Sequence, residues 1–186
     1  MKAIFLDRDG VINKYPGDRD YVKSWDEFQF LPGATDALSR LAKNNFGIFV
    51  ISNQAGVAKG VYPKENLDLI TKNMEEELKK RGVRISGIYY CTHHPDQNCA
   101  CRKPKTGLLE MAVSESGKKG IDIDIEKSYF IGDTERDIEA GKVFGLKTIL
   151  VFSGKEKPGE QGAWQYAPDF TAADLPEAAN IILQKQ

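Results

Sequence analysis

The stretch Lys2-Ala3-Ile4-Phe5-Leu6-Asp7-Arg8-Asp9-Gly10-Val11-Ile12 decides how this chain reads. Ala3 to Leu6 is a short apolar run, suited to a strand buried on both faces of a parallel sheet. It stops abruptly at Asp7-Arg8-Asp9-Gly10. Alternate side chains of a strand point the same way, so Asp7 and Asp9 project together from its carboxyl end. In open α/β sheets that edge is where ligands bind. Two neighbouring carboxylates repel, and need a cation or a shared proton to stay together. Gly10 lets the backbone turn without steric cost. Taken alone, the pattern serves a turn with two solvated aspartates as well as a site.

Further along, apolar runs and helical patterns alternate. A long loop, Asn13 to Leu31, holds Tyr15-Pro16-Gly17-Asp18-Arg19-Asp20-Tyr21, and loops of that length are often functional. Pro32-Gly33 opens a helix to about Asn44, with Ala34, Ala37, Leu38 and Leu41 at helical spacing. Phe46 to Ile51 predicts the second strand, stopping at Ser52-Asn53-Gln54-Ala55-Gly56. A helix from Pro63 to Gly82 carries Leu67, Ile70, Met74 and Leu78 on one face. Ile88 to Tyr90 is a third strand, Thr106 to about Gly117 a helix, and Ser128 to Ile131 a fourth strand breaking at Gly132-Asp133. A helix from Glu135 to Phe144 and a strand from Thr148 to Val151 follow. Asp174 N-caps a last helix through Leu183. This repetition predicts an α/β fold: a Rossmann-like, doubly wound parallel sheet with right-handed crossovers. We expect one domain over residues 1–186.

Composition narrows the possibilities. With 26 basic and 27 acidic residues in 186, no bulk charge advertises nucleic acid or an anionic membrane. No apolar run approaches a membrane span, and the amino terminus enters a strand at once, without signal-peptide architecture. We expect a cytoplasmic monomer.

The strand endings carry the chemistry. Asp7 and Asp9, Ser52 and Asn53, and Asp133 all fall on one edge of a parallel sheet. Carboxylates with carbonyls and water suit Mg²⁺, and a hydroxyl at Ser52 with an ammonium such as Lys103 completes a pocket for a phosphoryl group. Ser52 reads equally as a strand-end cap, and Glu135 and Asp137 as acids complementing a helix dipole.

Asp7-Arg8-Asp9-Gly10, Ser52-Asn53-Gln54, Arg102-Lys103-Pro104 and Gly132-Asp133-x-x-x-Asp137 resemble, in order, the motifs of the haloacid-dehalogenase-like phosphatases. The resemblance implies Asp7 as nucleophile and Asp9 as general acid/base, with Ser52 and Lys103 steadying the transferring phosphoryl group. Mg²⁺ would be held by Asp7, Asp133 and the backbone carbonyl of Asp9.

All three cysteines lie in Cys91-Thr92-His93-His94-Pro95-Asp96-Gln97-Asn98-Cys99-Ala100-Cys101. Three thiols and an imidazole match a structural zinc site. We assign Cys91, His93, Cys99 and Cys101, with His94 the competing nitrogen ligand. Zinc would order a loop, residues 91–103, that has little apolar content, and would aim Arg102 and Lys103.

Such a zinc loop ahead of Cys-Arg-Lys-Pro is similar to the branch of heptose 1,7-bisphosphate and histidinol-phosphate phosphatases, which lack a large cap domain. This implies a small phosphorylated sugar as substrate, with histidinol phosphate the alternative. The loop is nearer in length to the histidinol-phosphatase type, and Thr134 stands where the branch often carries a basic residue. Substrate contacts would come from Asp7, Arg8, Asp9, Tyr21, Ser52, Asn53, Gln54, Arg102, Lys103 and Thr134. Rivals in other classes are a non-catalytic zinc-stabilised binding protein and a nucleic-acid 3′-phosphatase. Intact Asp7, Asp9, Lys103 and Asp133 oppose the first, and near-neutral charge opposes the second.

Overall fold

The computed structural model describes residues 1–185. Its strands are β1 (Lys2–Leu6), β2 (Phe46–Asn53), β3 (Ile85–Cys91), β4 (Tyr129–Gly132), β5 (Lys147–Val151) and β6 (Phe170–Ala172). Its helices are α1 (Ala34–Lys43), α2 (Lys64–Lys80), α3 (Gly107–Lys118), α4 (Glu135–Phe144) and α5 (Leu175–Gln184). All strands pair in parallel, in the order β3-β2-β1-β4-β5-β6. The strand order reverses at β1, which puts the switch point, and hence the ligand crevice, at Asp7.

Alternation along β1 explains its unbroken apolar run. Ile4 and Leu6 enter one core with residues of α1, α2 and α5, while Ala3 and Phe5 enter the other with residues of α3 and α4. Phe5 stacks on Phe49 of β2, ring centroids 5.1 Å apart. From Ala3 to Leu6 the strand has no solvent face, so after Lys2 it carries no polar residue until it leaves the core.

The expected elements appear with shifted ends. β3 begins earlier than Ile88, at Ile85, and β2 runs on through Asn53. Asp174 caps α5, its side chain accepting from the Glu177 amide. β6 is an addition to the expected five strands: three residues on the sheet edge, too short to give a periodic signal. In the long first loop, Trp25 stacks on Phe28 at 4.9 Å and Phe28 meets Phe30 edge-on at 5.0 Å, so these aromatics pack, as their apolar type suggests.

Close approach of α4 to the sheet rests on Gly141. A Cβ there would lie 2.6 Å from Thr148 Cγ2 and 3.0 Å from Phe130 Cβ, both on fully buried residues. Gly141→Ala should therefore lose about 1–3 kcal/mol by overpacking, where propensity alone predicts a gain of about 1 kcal/mol. Urea unfolding at unchanged m-value measures the sign.

Candidate active site

The three central strands end side by side, and their polar endings meet in one open cleft of ≈ 610 Å³. Asp7, Asp9, Ser52, Asn53, Lys103, Asp133, Thr134 and Asp137 form its floor, and the Tyr15 to Tyr21 loop, Arg102 and the segment Lys155-Glu156 line it as well. The parallel pairing continues one residue past β1, where the Asp7 amide donates to Ile131 O at 3.0 Å. Asp7 is thereby fixed by sheet geometry rather than by a flexible loop.

Lys103 sits at the centre. It is 3% exposed, and its Nζ donates to Ile51 O at 2.8 Å while lying 3.0 Å from Asp7 Oδ1 and 2.6 Å from Asp137 Oδ1. Burial alone would lower its ammonium pKa, but Asp137 and Asp7 outweigh that and hold it above the ordinary lysine value. The backbone carrying it is clasped by Asn53, whose Oδ1 accepts from the Lys103 amide at 3.1 Å and whose Nδ2 donates to Lys103 O at 3.2 Å. Asn53 thus reaches the cleft wall with its amide engaged in holding Lys103.

Asp7, Asp133 and Asp137 have carboxylate oxygens within 4.8 Å of one another. Burial raises the Asp7 pKa, Asp137 and Asp9 add to the rise, and Lys103 opposes it. Burial, then Asp137 and Asp7, push Asp133 well above the ordinary carboxylate value. Asp133 Oδ2 accepts from the Lys155 amide at 2.8 Å, while its buried Oδ1 has no hydrogen-bond partner. The two oxygens of Asp137 are engaged, Oδ1 by Lys103 and Oδ2 by Thr134 Oγ1 at 2.6 Å and the Thr134 amide at 3.1 Å.

Two expected substrate contacts are corrected by burial. The Arg8 side chain is fully buried and does not line the cleft; it is paired with Asp9 at 2.9 Å. Alternation along the strand puts it on the side opposite Asp7. Gln54 is 1% exposed, its Nε2 donating to Asp9 Oδ2 at 2.8 Å and to Ser52 Oγ at 3.2 Å, and its Oε1 accepting from Tyr62 OH at 2.8 Å. Both side chains brace Asp9 from behind. Tyr21, Arg102 and Thr134 do line the cleft, although the Thr134 hydroxyl is committed to capping α4.

Cys91, His93, Cys99 and Cys101 form a second cluster. Cys91 Sγ lies 3.5 Å from Cys99 Sγ and 3.7 Å from His93 Nδ1, and Cys101 Sγ lies 3.1 Å from His93 Nδ1 and 3.5 Å from Cys99 Sγ. A tetrahedral zinc has S···S and S···N edges of roughly 3.8 and 3.6 Å, from its ordinary bond lengths. His94 is elsewhere: its Nδ1 accepts from the Asp96 amide at 3.4 Å, capping a short 3-10 turn. Of the two imidazoles, His93 is the one among the thiols.

Comparison with known proteins agrees with this geometry. Residues 100–178 match the HAD-hydrolase-like family model. The chain is 38% identical over 189 residues to the D-glycero-β-D-manno-heptose-1,7-bisphosphate 7-phosphatase of Yersinia pestis, covering 96% of this chain and 95% of that one. The enzyme of the same name from Pasteurella multocida is 40% identical over 161 residues, covering 83% of each. The crystal structure of D,D-heptose 1,7-bisphosphate phosphatase from B. bronchiseptica, complexed with magnesium and phosphate, covers 100% of both chains with a TM-score of 0.88 at 33% identity. The chain belongs to this haloacid-dehalogenase-like phosphatase family.

For a member of this family, the donors at the cleft floor fit a hard divalent cation. Crowded buried carboxylates need a positive charge, and one buried oxygen, Asp133 Oδ1, is unspent. With both oxygens of Asp137 taken up by Lys103 and Thr134, Asp7, which meets Lys103 through Oδ1, and Asp133 are the carboxylates that retain an oxygen for the ion. Two features lay outside the sequence reading. Asp137, read as a helix-dipole acid, is the partner that orients Lys103. The segment after β5, to which the sequence assigned no role, folds over the site: Ser153 Oγ donates to Gly10 O at 2.7 Å, and the Glu156 amide to Asp133 O at 3.3 Å. Ser153-Gly154, just past Phe152 at the end of β5 on the same sheet edge, was the signal that could have located it.

A linkage prediction follows from Asp7 and Asp133. Their folded pKa values are raised, so the metal-free protein has their full stabilising contribution below the ordinary carboxylate value of about 4. It loses that contribution as pH rises through the raised values. Magnesium should counter the loss, raising Tm more near pH 7.5 than near pH 5. At a hundredfold excess over Kd the gain should approach 3 kcal/mol, or roughly 5–10 °C by thermal scan.

Proposed function

We propose that the chain is a magnesium-dependent phosphatase that removes the 7-phosphate of D-glycero-β-D-manno-heptose 1,7-bisphosphate, leaving heptose 1-phosphate. The observation that carries the reading is Asp7, held 3.0 Å from the buried Lys103 ammonium at the floor of an open cleft. The relatives' names favour the heptose over histidinol phosphate and supply the β-anomer. An open cleft suits a small soluble substrate, and we take the working unit to be a single-domain monomer in the cytoplasm.

In this mechanism Asp7 attacks phosphorus as an ionised carboxylate and forms an aspartyl-phosphate. Lys103 offsets the phosphoryl charge as the two anions approach, with Asp137 keeping its ammonium aimed. The Ser52 hydroxyl steadies a phosphoryl oxygen. Asp9 gives its proton to the leaving alkoxide and then takes one from the water that opens the intermediate. Magnesium, held by Asp7, Asp133 and the Asp9 carbonyl, would supply further charge neutralisation. Arg102 lines the cleft with a buried Nη1 that has no hydrogen-bond partner, so it would meet the phosphate distant from the reaction. Tyr21 and Thr134 line the same space. Zinc on Cys91, His93, Cys99 and Cys101 would do no chemistry; it would hold the loop that carries Arg102 and Lys103.

Phosphate release with magnesium should be fastest from the β-anomer, slower from the α-anomer and slowest from histidinol phosphate, and should fall to background in Asp7→Asn. Preference for histidinol phosphate would overturn the substrate while sparing the mechanism. Release by Asp7→Asn would sink the mechanism.

The protein as purified should hold close to one zinc per chain by elemental analysis. Stripping it with a chelator and restoring magnesium alone should leave activity down by about tenfold or more, the usual cost of loosening a supporting shell. Full activity in zinc-free protein would show that the loop holds its shape unaided.

A further inference from the structure

The Arg8 guanidinium is buried whole behind Asp9, and the phosphatase mechanism gives it no task. Its Nε donates to Asp9 Oδ1 at 3.1 Å, and its Nη2 to Oδ1 at 2.9 Å and Oδ2 at 3.0 Å. Asn13 Nδ2 donates to Oδ1 at 2.9 Å and Gln54 Nε2 to Oδ2 at 2.8 Å. Together these bonds engage both oxygens of Asp9 and fix the plane of its carboxyl group. On the far side the guanidinium lies 5.8 Å from the centroid of the Tyr90 ring, whose hydroxyl accepts from Thr71 Oγ1 at 3.2 Å.

Stability is a weak reason for this arrangement. A buried ion pair spends much of its attraction on desolvation, and apolar residues of similar volume often do as well. Here Arg8 Nη1 is also buried without a partner. What an arginine alone supplies is a planar fork that fixes the plane and position of a carboxylate, which a lysine or an apolar side chain does not. Gln54 is tied to the same fork, its Oε1 accepting from Arg8 Nη2 at 3.3 Å and from Tyr62 OH at 2.8 Å while its Nε2 donates to Asp9 Oδ2 and Ser52 Oγ. Among the described residues Arg8 is ion-paired with Asp9 and no other acid.

We propose that Arg8 is a positioning residue for proton transfer. Its fork holds Asp9 where that carboxyl can reach first the leaving oxygen and then the attacking water. The proposal rests on Asp9 being the acid/base of the phosphatase reading. The proton balance is closed: Asp9 loses one proton as the ester P–O bond breaks, and regains one from water as the bond from phosphorus to Asp7 is hydrolysed.

The test compares two esters that differ in their need for that proton. An alkoxide leaving from the heptose requires it, whereas p-nitrophenolate leaves as a stable anion. In Arg8→Lys, which keeps the buried charge but loses the fork, the ratio of kcat on heptose 1,7-bisphosphate to kcat on p-nitrophenyl phosphate should fall by about tenfold or more, within the range that acid–base catalysis supplies. KM for the heptose should stay within about twofold. Arg8→Gln should lower the ratio further. A merely structural role would lower both rates together and leave the ratio where it was, and that result would overturn the proposal. If the Arg8 variants do not fold, Tyr90→Leu decides: it removes the ring under the guanidinium, and the ratio should fall by a few-fold or the proposal fails. Asp9→Asn separates the two levels. If it leaves the ratio unchanged, the assignment of Asp9 itself is wrong; if it lowers the ratio while Arg8→Lys does not, only the role of Arg8 is lost.

Discussion

A buried ammonium shared by two carboxylates is the interaction on which this site depends. A parallel sheet that reverses its order at β1 brings the ends of three strands together, and here those ends carry Asp7 and Asp133, with Asp137 on the following helix turn. Left alone, such a cluster would take up protons or push apart. Lys103, at 3.0 Å from Asp7 and 2.6 Å from Asp137, removes part of that repulsion. This cation comes from the loop after β3 and not from a strand end. The position of that loop is therefore a condition of the chemistry. Two devices hold it: the Asn53 amide, which grips the Lys103 backbone from β2, and the knot of Cys91, His93, Cys99 and Cys101.

Much of this was legible in the chain because buried strands advertise themselves. Ala3 to Leu6, Phe46 to Ile51 and Tyr129 to Ile131 carry no polar side chain but a tyrosine, and each leads within two residues to Asp7, Ser52 or Asp133 at the same sheet edge. What was not legible depended on direction rather than type. Arg8 has the chemistry of an anion binder, and its place in the motif suggested substrate; the odd-even alternation that groups Asp7 with Asp9 is the same rule that turns Arg8 away from them. Asp137 read as an acid complementing a helix dipole; in the structure it accepts from Thr134 at the start of α4 while also pairing with Lys103. One side chain carries two roles, and pattern alone reports the commoner one. Phe170-Thr171-Ala172 escaped because three residues at a sheet edge give no period to read. Gly154-Lys155-Glu156 has a loop's composition, and only the end of β5 at the shared edge ties it to Asp133.

The same separation of tasks runs through the acids and bases of the cleft. Asp7 is held by sheet hydrogen bonding and faces a cation; Asp9, two residues on, is braced by Arg8, Asn13 and Gln54. Two carboxylates from one short stretch thus stand in different surroundings, one facing the cleft cation and the other clasped by side-chain donors. The soft donors are kept apart from the hard ones as well. Thiols and an imidazole gather in the loop, and carboxylates gather at the sheet edge, so each group favours a different class of ion.

Asp133 shows how far backbone, rather than side chains, shapes the site. A Cβ on Gly154 would lie 2.0 Å from Asp133 Oδ2, and one on Gly10 would lie 2.3 Å from it, where Gly10 also has a φ of +87°. No other residue fits at either place without moving the carboxylate. Because both are glycine, the main chain closes directly on Oδ2, and the Lys155 amide can donate to it. That bond fixes the rotation of the carboxylate, so its other oxygen is aimed by default. Oδ1 is buried and unpaired because everything able to pair with it has been kept away. An oxygen left in that condition costs stability. The cost makes sense where a cation is to be bound: the two glycines clear the space, the amide sets the direction, and the unspent lone pairs wait for a positive charge.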